Sequence, residues 1–282
     1  MATAPVRASA LAPAGVGLSL LVVTVQIRMN DSWADGVLLL AAAIPAALLL
    51  HAGLNSVRAD QSDRAAVTVL LVAGLALAGL TIARFGQVLS NDDFGDSGGT
   101  LVWMLALFVA LTAYCHRRSG SVACVLIGSL AAVGLLLAAV HWIFGTEDID
   151  VYRALLTFSF VVLFSAGVAT EGRTGTVLVA AAGVTVLALS YVTGVFFLLN
   201  LDGGGIGWGW ELVMLVQAAA LAFYAVQHGE PGPGYLAFFV FVLFVVSAAQ
   251  GDSTLVGWPL ALAIVTAIAG VRAAAATAAA RA

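Results

Sequence analysis

The stretch AAVTVLLVAGLALAGLTIARFGQVL, residues 65–89, decides the fold: it is almost entirely apolar, and Arg84 is its only charged residue. It meets the roughly 20 residues that an α-helix needs to cross a ~30 Å hydrocarbon core. Its Leu, Val and Ala run continuously instead of alternating with polar residues, so it reads as a helix and not as a barrel strand. Gly74 with Ala78, and Gly79 with Ala83, recur at a spacing that lets a neighbouring helix approach closely.

Comparable stretches lie on both sides of it, at residues 10–28 and 34–54 before, and at 100–116, 121–144, 149–170, 176–200, 207–228, 235–250 and 254–274 after. The expected fold class is therefore all-α: a polytopic integral membrane helix bundle of about ten transmembrane helices, with 1–282 a single transmembrane domain and no soluble domain. Composition agrees, since 62% of residues are hydrophobic and 9% charged, where soluble domains carry about a quarter charged residues. Mean hydropathy is +1.08. The first stretch follows Arg7 and ends at Gln26 and Arg28 with no small-residue cleavage site, so it is kept as a membrane helix and not as a signal peptide.

Arginine accumulates in short cytoplasmic loops, which gives the stretches a direction. Arg7, Arg58 with Arg64, Arg117 with Arg118, Arg173, and Arg272 with Arg281 fall at the N-terminus, every second loop and the C-terminus. The intervening loops hold Asp31, Asp35, Asp92, Asp93, Asp96, Glu147, Asp148, Asp150, Asp202 and Asp252, with only Arg28 and Arg153 at their edges. Both termini are thus expected in the cytoplasm. The chain has no lysine, and its alanine-rich helices suit a GC-rich bacterial genome; a multi-pass protein of a bacterial inner membrane is the expectation. The net charge of −4 argues against nucleic acid, which requires a basic face. Cys115 and Cys124 flank the Arg117–Arg118 turn on the reducing side, where they read as packing residues.

Two pairs of segments repeat at an offset near 112 residues: His51–Arg58 with Ser165–Arg173, and Ala113–His116 with Phe223–His228. They suggest a parallel 4+4+2 arrangement of helices, unlike the inverted repeats of many transporters.

Charges within the hydrocarbon region are expensive and mark the positions worth attention. Arg84 near the outer end of the third stretch and Glu211 near the outer start of the eighth lie at matching depth, either as an interhelical pair lining an outer cavity or with Arg84 snorkelling to water. Gln217, at mid-depth, either lines a path or bonds to Ser159 or Ser190 as interhelical glue. Trp208 and Trp210 sit among Gly203, Gly204, Gly205, Gly207 and Gly209, and with Trp33, Trp103, Trp142 and Trp258 all fall at the outer boundary. Anchoring explains an indole there, while the lack of tryptophan at the inner boundary hints at an outer vestibule.

No metal site is expected, because His51, His116 and His228 show no ligand spacing; His141 with Glu147, Asp148 and Asp150 reads as an acidic loop. No nucleophile motif, nucleotide loop or cofactor signature is present, so no enzyme and no cofactor are expected. The bilayer is the expected partner. The function expected is binding or passage of a small solute or lipid from the outer face, with a non-catalytic structural, assembly or sensing subunit as the alternative.

Overall fold

A computed structural model describes residues 8–30, 32–56, 64–90, 98–190 and 208–250. Among the described residues the chain forms nine helices: α1 Ala8–Met29, α2 Asp35–Asn55, α3 Arg64–Ser90, α4 Gly98–Ser119, α5 Val122–Phe144, α6 Ile149–Ala169, α7 Arg173–Ser190, α8 Trp208–His228 and α9 Pro231–Gln250. Eight of these are long and apolar enough to cross a membrane, and α9 is apolar over Pro231–Val245. The expected tenth stretch, 254–274, lies outside the described residues, as do 191–200 of the seventh.

Where the apolar runs stop, local backbone chemistry stops the helices. Gly120 and Gly145 adopt positive φ, 66° and 59°, a conformation that glycine enters without a Cβ clash. Their N–H groups donate back to the His116 and His141 carbonyls at 2.7 and 2.8 Å, so α4 and α5 each end in a closed turn. Pro231 opens α9, at a position where the missing N–H would have had no helical partner.

The described residues fall into two compact units, one within Met1–Asp148 and Thr170–Leu178, the other within Ile149–Ala169 and Val179–Ala282. In the first unit α3 packs against α1, α2 and α4, and α4 pairs with α5. The stretch quoted at the outset supplies the core, with Leu70, Leu71, Leu75 and Leu77 buried against α1 and α2. A Cβ on Gly74 would stand 2.9 Å from Leu50 Cγ and 3.0 Å from the Leu50 backbone nitrogen; one on Gly53 would meet Leu71 Cδ2 at 2.9 Å. The small residue at 74 therefore permits the close approach of α2 and α3. Trp103 of α4 meets Phe85 of α3 edge-on, with ring centres 6.0 Å apart.

In the second unit Phe160 of α6, Val179, Ala182 and Val186 of α7, Leu221 and Tyr224 of α8, and Val240 of α9 form a separate core. Leu20, Ile27, Leu40 and Leu48 in the first unit, and Phe158, Phe223, Phe238 and Phe239 in the second, point outward. Apolar faces on this scale are unfavourable in water and expected in lipid.

A polar cluster at the head of an apolar cleft

Ser19, Val23, Gln26 and Asn30 recur every three or four residues and so share one face of α1 and its terminal turn. Ala76, Leu80 and Arg84 share one face of α3 in the same way. These two faces line a cleft of about 510 Å³, a volume within the usual range of ligand sites. Its walls are apolar except for Ser19, whose hydroxyl donates to the Gly15 carbonyl at 2.9 Å, and the end where α1 stops. There Arg84 donates from Nε to Gln26 Oε1 at 2.8 Å, from Nη1 to Gln87 Oε1 at 2.9 Å, and from Nη2 to Asn30 Oδ1 at 2.7 Å.

Gln26 is the keystone. It is 3% exposed, and its Nε2 donates to the Leu38 carbonyl of α2 at 2.6 Å, so one amide ties three helices together. All three acceptors around Arg84 are neutral, and among the described residues no carboxylate pairs with it; the one ion pair there joins Arg153 to Asp150. Among the described residues the guanidinium is held by amides alone.

Sequence reasoning found Arg84 but missed Gln26, Asn30 and Gln87. The signal was present in the spacing: amides at i and i+4 close α1, and Arg84 and Gln87 lie at i and i+3 in the last turns of α3.

The other expected site residues belong to the second unit. Glu211, in the first turn of α8, is fully buried, and both of its carboxyl oxygens are without a hydrogen-bond partner among the described residues. Gln217 is buried too, and neither its Nε2 nor its Oε1 has a hydrogen-bond partner among the described residues. The glue expected from Ser159 or Ser190 is not formed with this amide: each hydroxyl donates to the carbonyl four residues earlier in its own helix, Leu155 and Val186, both at 2.8 Å. Trp208 opens α8, but its side chain lies outside the described residues, as do Gly203, Gly204, Gly205, Gly207 and Trp258.

Trp210 has a partner that the sequence did not suggest. Arg153 Cζ stands 5.9 Å from the centre of its ring, while Arg153 Nη1 donates to Asp150 Oδ1 at 2.7 Å. Arg153, read from the sequence as the edge of an acidic loop, is thus a buried cation clamped between a carboxylate and an indole.

All four histidines are taken up locally, His141 by the Thr146 carbonyl at 3.0 Å. His116 and His228 engage the Ser121 and Tyr224 carbonyls, both at 3.1 Å, and His51 pairs with Asn55 at 2.8 Å. Cys115 and Cys124 are buried free thiols, in keeping with a packing role.

Eight membrane-length apolar helices and outward-facing apolar side chains among the described residues define a multi-pass α-helical membrane protein. No protein-family model, curated protein or solved structure matches the chain.

Proposed function

We propose that the protein binds a small solute or lipid from the outer face of a bacterial inner membrane, at the α1–α3 cleft, as a binding protein or carrier and not as an enzyme. The observation that supports this most is Arg84: a cation fixed by three neutral amides at the head of an apolar cleft of about 510 Å³. A half-buried guanidinium at that position offers a fixed positive charge to whatever occupies the cleft.

The outer-face assignment rests on the arginine pattern. Arg64, Arg117, Arg118 and Arg173 mark one side of the membrane, and Arg84 lies at the opposite end of the α3 crossing from Arg64. Ten spans with both termini in the cytoplasm complete this topology.

Asn30→Cys, with Cys115 and Cys124 changed to Ser, tests the assignment. A membrane-impermeant maleimide is expected to label this exposed position in intact spheroplasts and not in sealed inside-out vesicles. Labelling confined to inside-out vesicles would overturn the outer-face reading.

A further inference from the structure

We infer that the occupant of the α1–α3 cleft is an anionic phospholipid of the leaflet at the Arg84 end, with its phosphate on Arg84 and one acyl chain along the cleft. This rests on the binding reading above and names its ligand.

The first support is the donor count. A guanidinium carries five N–H groups. Nε, Nη1 and Nη2 each give one to an amide oxygen, which leaves one N–H on each terminal nitrogen without an acceptor among the described residues. Both donors lie in the guanidinium plane and can serve phosphate oxygens, and the three amides already hold that plane still.

The second is length. From Ser19 to Asn30 the α1 wall runs about 16 Å at the ~1.5 Å rise per helical residue. That is about half of a ~30 Å hydrocarbon core, the depth of one leaflet.

The third is access. Leu20 and Ile27, on the rim of the cleft, are 64% and 74% exposed, so the cleft opens sideways into the lipid and not only towards water. A chain can enter from the leaflet without leaving hydrocarbon.

The fourth is charge. Among the described residues the cleft lining includes Arg84 and no acidic residue, so a headgroup phosphate meets a cation there and the ammonium of a zwitterionic headgroup meets a like charge. A net negative headgroup is favoured.

The full-length protein would be placed in phosphatidylcholine vesicles containing a small fraction of phosphatidylglycerol or phosphatidylcholine with a diazirine in the acyl chain. Photo-crosslinks would be mapped by mass spectrometry. The phosphatidylglycerol probe is expected to label residues 19–30 and 76–84 about fivefold more than the phosphatidylcholine probe, the advantage of one arginine at an anionic headgroup. Arg84→Gln should bring the two probes level. Ala76→Phe, which fills the cleft and leaves Arg84 in place, should remove labelling by both, with helical circular dichroism confirming that each variant is folded.

Equal labelling by the two probes in the wild type, or a preference that survives Arg84→Gln, overturns the anionic-lipid inference while leaving the cleft reading in place. Displacement of the phosphatidylglycerol probe by millimolar inorganic phosphate also overturns it, because the site would then serve a soluble anion. Failure of the outer-face reading shows instead as Asn30→Cys labelling from the cytoplasmic side alone, which these lipid results do not decide.

Discussion

If Gln26 joins α1, α2 and α3 through Arg84, then Arg84→Met and Gln26→Leu must be non-additive. Arg84→Met strands the Oε1 of Gln26, a residue only 3% exposed, at a cost of about 1–3 kcal/mol for an unsatisfied buried acceptor. Asn30 is exposed and rehydrates, so losing its bond adds little. Gln26→Leu strands Arg84 Nε and gives up the bond to the Leu38 carbonyl, with a similar cost of about 1–3 kcal/mol. In the double variant neither stranded partner is left. It should therefore be less destabilised than the sum of the singles by about 0.6–1.7 kcal/mol, the range found for hydrogen bonds between membrane helices. Reversible unfolding in mixed micelles with increasing dodecyl sulfate, followed by helical circular dichroism, measures all four proteins. Additivity to within about 0.3 kcal/mol, the level shown by independent sites, would refute the shared bond.

Further expectations concern packing and the second unit. Gly74→Ala should destabilise by about 1–3 kcal/mol in the same assay, because its Cβ meets the Leu50 backbone and not only a movable side chain. Gly17→Ala, whose Cβ would meet nothing within 4 Å, should be neutral or stabilising by up to about 1 kcal/mol from helix propensity. If both glycines behave alike, close α2–α3 packing is not what position 74 serves. Trp210→Ala and Arg153→Met should couple by about 0.5–2 kcal/mol, the strength of a cation–π contact from exposed to desolvated settings; a zero coupling would remove that contact from the account. Glu211→Leu should unfold at the same or a higher dodecyl sulfate fraction than the wild type, since it replaces a buried carboxyl that has no hydrogen-bond partner among the described residues. A clear loss of stability would mean that the carboxyl is paired in the folded protein.

The helices were legible because each apolar run carries its own evidence: residues 121–144 became α5 Val122–Phe144, and 34–54 became α2 Asp35–Asn55. Gly74 was legible as a packing position for the same reason, since its neighbours in sequence are its neighbours on one helix face. The partners of Arg84 were not. Which side chains meet across two helices depends on how each is rotated about its axis, and runs of Leu, Val and Ala are apolar all round and leave that rotation unspecified. Depth alone matched Arg84 with Glu211, whereas the guanidinium bonds to amides of α1 and of its own helix. Gln26, the residue that binds the cluster together, read only as the place where an apolar run ended. Ser159 and Ser190 illustrate the same limit: depth offered them to Gln217, but a serine in an apolar helix can satisfy its hydroxyl on its own backbone four residues back, and both do.

The most direct measurement is native mass spectrometry of the protein released from an equimolar phosphatidylglycerol and phosphatidylcholine mixture, for the wild type and Arg84→Gln. The wild type is expected to retain a phosphatidylglycerol adduct about fivefold more often than a phosphatidylcholine one, with that preference lost in Arg84→Gln. Equal retention of the two lipids by the wild type, or the same phosphatidylglycerol preference without Arg84, would contradict the assignment of the cleft.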